Sequence, residues 1–121
     1  MISQQHADAL AEAWISAWNA HDLDAVMSLY SDDAEYISPI AARLLERENG
    51  KVQGTVELRE YLSRGLNRYP DLHLELLHVL PGVETVTLVY RSIHNLLAAE
   101  MLEVSGNPLR IQRAHGHYTP A

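Results

Sequence analysis

The segment that most constrains the fold lies near the N-terminus, where two helical patterns are separated by a break and followed by a strand. Apolar residues recur at positions 10, 13, 14, 17 and 18, which places them on one face of a helix. Asn19 to His21 interrupts this pattern, and Asp22 can cap a second, shorter helix. The apolar stripe of that second helix contains Leu23, Val26, Met27 and Tyr30. A strand is predicted to follow from Ala34 to Pro39, where the proline ends it.

The middle of the chain is predicted to hold one further helix. Residues 41–53 form either a short helix or an irregular flap, with a turn at 48–51. Gly54-Thr55 then opens a helix that Thr55 caps and that ends before Pro70, because the residue before a proline avoids helical angles. The apolar stripe of this helix is Leu58, Tyr61, Leu62, Leu66 and Tyr69.

After residue 70 the period of the apolar pattern changes to that of strands. Four strands are predicted, at Leu72–Leu80, Val83–Ile93, Leu96–Val104 and Leu109–Tyr118. Turns separate them at 81–82, 94–95 and 105–108. Three helices followed by a run of strands predict an α+β fold, with the three N-terminal helices packed on one face of an antiparallel sheet. The length of 121 residues suits a single domain over 1–121.

Composition excludes several classes of function. The net charge is −7, and the nine basic residues are scattered, so neither nucleic acid nor an anionic membrane is an expected partner. The chain has no cysteine, which excludes disulfides, zinc–thiolate sites and thiol catalysis. No basic segment followed by an apolar stretch marks a signal peptide, and no apolar run is long enough to cross a membrane. We therefore expect a soluble, cytoplasmic protein.

The helix–break–helix–strand opening from Trp14 to Tyr36 resembles the nuclear transport factor 2-like superfamily, and within it the SnoaL-like polyketide cyclases and the ketosteroid isomerases. The resemblance covers nearly the whole chain and implies a cone-shaped, curved sheet whose mouth holds a ligand pocket. It also implies a homodimer formed through the outer face of the sheet. The residues predicted to face outward there are mostly β-branched and lightly charged: Thr85, Thr87, Val89, Arg91 and Ile93.

Aligned on residues 19–23, the resemblance to ketosteroid isomerases can be tested residue by residue. It places Trp14 at the family's oxyanion-hole tyrosine, Ser38 at its aspartate base and Glu100 at its second, protonated acid. Tryptophan donates a single N–H and serine is no base at neutral pH, so steroid isomerase activity is not expected. The SnoaL-like cyclases use a strand aspartate, whereas every aspartate of this chain is predicted to lie on a helix, cap or turn. The Asp–Arg–Asp arrangement of limonene epoxide hydrolase relatives is not evident either.

The alternation of residues within two strands singles out Glu100. Val86, Leu88, Tyr90, Ser92 and His94 share one face of their strand, which begins apolar and ends polar, as a face leading from core to pocket should. On the next strand, Glu100 is the only charged residue on a face with Leu96, Ala98, Leu102 and Val104. A carboxyl group on such a face loses solvation, so its pKa should rise, and shifted carboxyl groups concentrate at active sites. A position near a sheet edge, in contact with water or arginine, is the alternative.

The last strand leaves two alternatives open. If Gln112, Ala114, Gly116 and Tyr118 face inward, small residues make room for a pocket, and the isomerase alignment favours this register. If Arg113, His115 and His117 face inward, the pocket is cationic and suits a carboxylate. The spacing of His115 and His117 can also bind metal, but only with further ligands such as His94 or Glu100, so we predict no metal.

Together these patterns predict a pocket for a small, largely apolar molecule. Its predicted lining comprises Trp14, Trp18, Tyr36, Ser38, Tyr90, Ser92, His94 and Glu100. If the protein is an enzyme, we expect cofactor-free proton transfer on a carbonyl or enolisable substrate, as an isomerase, cyclase or hydrolase. Glu100 would be the acid/base, and His94 its hydrogen-bond partner or a second acid/base. A non-catalytic module for ligand binding or dimerisation is the competing interpretation.

Overall fold

The computed structural model describes residues 1–119. Four α-helices are present: α1 (Gln4–Asn19), α2 (Leu23–Met27), α3 (Pro39–Leu44) and α4 (Thr55–Arg68). Six strands form one sheet: β1 (Tyr30–Ile37), β2 (Lys51–Gln53), β3 (Glu75–Pro81), β4 (Thr85–Arg91), β5 (Leu97–Ser105) and β6 (Arg110–Tyr118). The α+β class is therefore confirmed, with α3 as a short additional helix.

Helices α1 and α2 form where the N-terminal pattern predicts them. The Asp22 side chain caps α2 by accepting a hydrogen bond from the Ala25 N–H at 3.1 Å, as predicted. Two details differ. Ala13 is exposed, and the buried stripe of α1 runs instead through Ala7, Leu10, Ala11, Trp14, Ala17 and Trp18. Tyr30 begins β1 rather than ending α2, because its backbone joins the sheet beside Ile111.

Residues 38–55 resolve the alternative between helix and flap. The Ser38 hydroxyl accepts a hydrogen bond from the Ala41 N–H at 3.0 Å and so caps α3, which is followed by the edge strand β2. Helix α4 begins after Gly54, whose φ of 85° favours glycine, and it has no side-chain cap. The prediction that Thr55 caps α4 is wrong, because its hydroxyl donates instead to the Asp32 carbonyl at 2.9 Å.

The sheet has the strand order β2-β1-β6-β5-β4-β3 and is mixed rather than wholly antiparallel. Strands β3 to β6 form the predicted antiparallel meander, but β1 pairs with β6 in parallel. Strand β3 starts three residues later than predicted, because the break after α1 holds the chain before it. Asn19 bonds both backbone groups of Leu74, at 2.7 and 2.9 Å, and the His21 ring bonds the Leu72 carbonyl at 2.8 Å.

Side chains on β4 and β5 alternate between a buried inner face and a partly exposed outer face. Helices cover the inner face: the ring of Trp14 on α1 lies 5.3 Å from that of Tyr90, and the ring of Tyr61 on α4 lies 5.6 Å from that of Tyr36. The predicted alternation is therefore correct within β4 and β5. Ile93 and His94, predicted to face outward and inward on β4, lie instead in a 3₁₀ turn, because the strand ends at Arg91. No helix among residues 1–119 is long and apolar enough to cross a membrane.

Strand β6 resolves the two registers left open by the sequence. Ala114 and Gly116 are buried on the inner face, whereas Arg113 and His117 lie on the outer face. An irregularity at Gln112, between the partners of Glu103 and Val104, shifts the alternation by one residue. Gln112 consequently stays partly exposed, and Ile111 is buried in the core.

Candidate functional site

The aromatic side chains of the chain converge on one cavity under the inner face of the sheet. The sequence contains two tryptophans, six tyrosines and no phenylalanine. A cavity of about 70 Å³, partly open to solvent, is lined by both tryptophans and five of the tyrosines. Its full lining is Trp14, Trp18, Tyr36, Ile40, Tyr61, Leu62, Gly65, Tyr69, Leu72, Leu74, Tyr90, Ser92, Ile93 and Tyr118. None of these lining residues carries a formal charge, so the cavity wall is apolar with hydroxyl and indole groups.

Contacts between aromatic rings hold the walls of the cavity, both within α1 and between α1 and the sheet. Trp14 packs against Trp18 with ring centroids 5.9 Å apart, and it meets Tyr90 edge-on at 5.3 Å. Such tilted arrangements are the favourable ones for aromatic pairs. The sixth tyrosine, Tyr30, lies behind Trp14 and accepts a hydrogen bond from its indole N–H at 3.2 Å. Most of the wall is thus built from helices and strands, and the segments that follow α4 and β4 complete it with Tyr69, Leu72, Leu74, Ser92 and Ile93.

Glu100 lies on the inner face of β5, between Leu88 of β4 and Gly116 of β6. It is completely buried, and neither carboxyl oxygen has a hydrogen-bond partner among residues 1–119. Glycine on β6 makes room for it: a Cβ at Gly116 would lie 3.0 Å from Glu100 Oε2 and 3.0 Å from Ser38 Cβ. The carboxyl group therefore occupies space that the side chain of any other residue at position 116 would overlap.

Burial is the largest cause of the pKa shifts of Glu100 and of the tyrosines around it, which together we call the tyrosine cluster. It raises the pKa of Glu100 to about 7, and the neighbouring Tyr36 hydroxyl offsets part of the rise. Burial, and next the charge of Glu100, raise the pKa values of five tyrosines: Tyr30, Tyr36, Tyr61, Tyr90 and Tyr118. These hydroxyls consequently remain protonated donors at neutral pH, while Glu100 is divided between its neutral and ionised forms.

The structure brings together most of the predicted site residues. Trp14, Trp18, Tyr36, Tyr90 and Ser92 line the cavity. Glu100 does not line it directly. Four lining tyrosines respond to the charge of Glu100 and are therefore its neighbours: Tyr36, Tyr61, Tyr90 and Tyr118.

Two predicted residues lie elsewhere. Ser38 is buried beside Gly116 rather than in the cavity lining, and its hydroxyl is engaged in capping α3. His94 is exposed in a short 3₁₀ turn (Ile93–Asn95) with a left-handed φ of 54°. It does not line the cavity but an adjoining depression, which shares Ser92 and Ile93 with the cavity. The prediction that His94 is the hydrogen-bond partner of Glu100 is wrong, because the turn carries the chain away from the inner face before β5 begins.

The two indole groups of the cavity are in different states. The Trp14 N–H, which the alignment placed at an oxyanion hole, is already bonded to Tyr30. The Trp18 N–H is buried and has no hydrogen-bond partner among the described residues. Trp18 and Glu100 are the two residues of 1–119 whose fully buried side-chain polar atoms lack a partner. Native structures leave few such groups unpaired, so each requires an explanation.

Sequence reasoning missed four tyrosines of this cluster as site residues: Tyr30, Tyr61, Tyr69 and Tyr118. A compositional signal for them exists. The chain has six tyrosines and no phenylalanine, and four of the tyrosines are buried in the core, although phenylalanine is the more easily buried residue. That preference points to a cavity that needs hydroxyl donors.

Histidines and aspartates do not join the site. His117 lies on the outer face of β6, opposite to the face that carries Gly116 and Glu100. No group of three or more His, Asp or Glu side chains within residues 1–119 is arranged to hold a metal ion. Asp32 and Asp33 do lie in a strand, β1, which corrects the prediction that no aspartate would; both are exposed, because that end of β1 faces away from the core.

The protein is thus an α+β protein in which helices cover one face of an open six-stranded sheet and enclose an aromatic cavity. The family model of the SnoaL-like domain matches residues 11–119, and the chain belongs to that family. A SnoaL-like protein of unknown function from Burkholderia thailandensis is 35% identical, with a TM-score of 0.93 over 99% of this chain and 100% of that one.

More distant structures share the fold. A candidate polyketide cyclase from Sinorhizobium meliloti is 13% identical, with a TM-score of 0.73 over 90% of this chain and 94% of that one. A candidate ketosteroid isomerase from Kribbella flavida is 17% identical, with a TM-score of 0.70 over 97% of this chain and 80% of that one. At these identities the similarity extends to the fold, and the chemistry has to be argued from the site.

Proposed function

We propose that this chain binds a small, largely apolar molecule in the aromatic cavity and catalyses cofactor-free proton transfer on a carbonyl-type substrate, with Glu100 as the acid/base. The observation that carries the proposal is the isolation of Glu100, which is fully buried and unpartnered beside a cavity of uncharged side chains. A structural carboxyl group would have an ion-pair partner or hydrogen bonds. One that has neither, in a family built around a pocket, is best explained by its chemistry.

A pKa of about 7 suits a general base at neutral pH, since the ionised form is populated and still accepts a proton readily. In the proposed reaction the C–H bond next to the carbonyl breaks, its electron pair forms an enolate, and the proton reaches Glu100. Return of that proton to another carbon of the substrate gives an isomer. In a substrate with a second carbonyl group, attack of the enolate carbon on that carbonyl carbon closes a ring, and the proton returns to the alkoxide that forms. No cofactor is needed for these steps.

The tyrosine hydroxyls complete the proposed path. Tyr36, Tyr90 and Tyr118 line the cavity and also neighbour Glu100, so a hydroxyl can accept the substrate proton while it donates its own to the carboxylate. Protonated hydroxyls in a water-poor cavity also stabilise the charge that develops on the substrate oxygen. Structures with this fold include a candidate isomerase and a candidate cyclase, and both names agree with reactions of this class.

A non-catalytic ligand-binding or dimerisation module is the second candidate function. The observation that favours it is that Glu100 is absent from the lining of the cavity. In that case the aromatic rings alone would bind the ligand, and the Glu100 carboxyl group would take no part in a reaction.

Exchange of the α-protons of cyclopentanone in D₂O, followed by proton NMR, tests the catalytic proposal without knowledge of the natural substrate. Wild-type protein should accelerate exchange above the buffer rate, with a rate that rises as the pH passes through 7. Glu100→Gln should remove the acceleration. Glu103→Gln is the matched control, since Glu103 lies on the same strand but on the outer face, 3.5 Å from Arg113. Equal rates for wild type and Glu100→Gln would reject Glu100 as the base and leave the binding module.

A further inference from the structure

The size of the cavity limits what it can hold. Pockets for drug-sized ligands enclose roughly 300 to 1,000 Å³, whereas this cavity encloses about 70 Å³. An apolar cavity of about 150 Å³ holds a single benzene ring. Because the walls are rings packed against one another across helices and strands, widening the cavity requires several of them to move together. One small ring that reaches toward the open side is the largest ligand that fits comfortably.

The charge of the surroundings limits the ligand further. No lysine, arginine or histidine lines the cavity, and the nearest ionisable acid is Glu100. An anionic ligand would find no counter-ion and would meet a carboxyl group. A cationic group such as an ammonium would be attracted by the aromatic faces, but it only donates hydrogen bonds and would leave the buried Trp18 N–H without an acceptor. An uncharged ligand avoids both costs.

The unpartnered indole specifies a functional group. Trp18 lines the cavity, it is 8% exposed, and its N–H has no acceptor within the described chain. An indole N–H can only donate, so a ligand that satisfies it must bring an acceptor oxygen. Trp14 cannot take this role, because its own N–H is bonded to Tyr30. The two polar groups without partners are then a donor, at Trp18, and an acid, at Glu100.

We infer that the substrate is an uncharged carbonyl compound no larger than a single small ring, and that the Trp18 N–H donates to its carbonyl oxygen. The inference rests on the proposed function, for which it names the substrate class and a ligand-binding residue. It also assigns the stabilisation of the substrate oxygen to Trp18 rather than to position 14.

NMR of the two indole N–H groups tests the inference directly. In ¹⁵N-labelled protein the chain has two indole signals, and loss of one in Trp18→Phe and of the other in Trp14→Phe assigns them. Cyclopentanone should shift the Trp18 signal downfield and move the Trp14 signal by less. The comparison ligands are methylenecyclopentane, cyclopentanecarboxylate, cyclopentylammonium and the bicyclic ketone 1-decalone. The first lacks the acceptor, the next two carry charge, and the last is too large.

Cyclopentanone should bind at least tenfold more tightly than each of these four ligands. Trp18→Phe should reduce the preference for cyclopentanone over methylenecyclopentane about tenfold, which is the size expected for one hydrogen bond. The ratio of two ligands of the same shape cancels the change in cavity volume that the substitution causes. If Trp18→Phe does not fold, the shift of the Trp18 indole signal in the wild-type protein tests the inference by itself.

Three outcomes would overturn the inference: an unchanged Trp18 signal at saturating ketone, equal or tighter binding of either ion, and tighter binding of 1-decalone. Failure of the proposed function and failure of this inference give different results. Glu100-dependent α-proton exchange with no involvement of Trp18 keeps the proposed function and rejects the inference. Trp18-dependent binding without Glu100-dependent exchange rejects catalysis and supports the binding module.

Discussion

Glu100 and Glu35 lie on opposite faces of the same sheet, and their surroundings differ completely. On the outer face, Arg113 lies 2.6 Å and Lys51 3.2 Å from the Glu35 carboxyl oxygens, and hydrogen bonds from these two cations lower its pKa. On the inner face, no cation and no partner within hydrogen-bond distance is found for Glu100 among residues 1–119, and burial raises its pKa, although the nearby Tyr36 hydroxyl offsets part of the rise.

The difference follows from strand geometry. Arg113 lies on β6, next to the strand that carries Glu100, yet the alternation of the strand directs its side chain outward. The outer face can therefore pair its charges at little cost, while the inner face keeps one acid isolated from every cation of the sheet. Isolation of this kind costs stability, and this cost is the ground on which we propose a functional role for Glu100.

The largest expected effect comes from removing the isolated acid. The pKa of Glu100 is raised from 4.5 to about 7 on folding, so the native state binds its proton more tightly than the unfolded state. Stability linked to this group is complete below pH 4.5 and is lost as the pH rises through 7. Relative to wild type, Glu100→Gln should gain about 2–3 kcal/mol in its free energy of unfolding between pH 5 and pH 8.

Urea unfolding of both proteins at the two pH values measures this gain, with Glu103→Gln as the control that should show little change. An equal difference between wild type and Glu100→Gln at pH 5 and pH 8 would mean that the acid is solvated or paired, and the contrast between the two faces would be lost.

A second, smaller effect should come from filling the space beside Glu100. Gly116→Ala would place a Cβ 3.0 Å from Glu100 Oε2 and from Ser38 Cβ, and should destabilise the protein by about 1–3 kcal/mol through overpacking. Gly65→Ala is the matched control: it lies in α4 with no atom within 4 Å of its added Cβ, and should stabilise by up to about 1 kcal/mol. Thermal unfolding of the two variants distinguishes them, and a neutral Gly116→Ala would show that the carboxyl group does not depend on that space.

The outer face supplies the third prediction, which is a homodimer at tens of micromolar. Val89 lies within the predicted interface, at the centre of β4 and opposite Ala99. Val89→Lys should weaken dimerisation tenfold or more by placing a charge in an apolar contact. Val83→Lys is the control, because Val83 is 67% exposed in the turn before β4. Light scattering reports the mass of each, and a wild-type monomer at these concentrations would rule out this use of the outer face.

The smallest effect is expected at Glu35. Its lowered pKa means that the ion pairs stabilise the protein above the ordinary pKa of the carboxyl group and are lost as the pH falls through the lower folded value. Glu35→Gln should therefore destabilise modestly at pH 7 and match wild type near pH 2. High salt should weaken the effect, since these charges are partly exposed. A loss at pH 7 as large as the change at Glu100 would show that the outer face is as sensitive to charge as the inner face.

Local patterns predicted much of this molecule because they depend on neighbours in sequence. Asp22 caps α2 as the pattern of polar and apolar residues indicates, and the alternation along β5 places Glu100 inward. The rise in the pKa of Glu100 follows from that placement alone, since burial is its largest cause. In these cases the physical determinant is the period of a helix or strand, which the sequence displays directly.

Tertiary structure decided what depends on residues distant in sequence. The parallel pairing of β1 with β6 brings Tyr36 to the cluster and sets Ser38 beside Gly116, and neither contact has a periodic signal. Whether the Trp14 or the Trp18 N–H remains unpaired depends on a hydrogen bond between Trp14 and Tyr30, sixteen positions apart. The sequence by itself determined the class of fold and the isolated acid. Only long-range packing decided which aromatic groups surround that acid, and how small a cavity they leave.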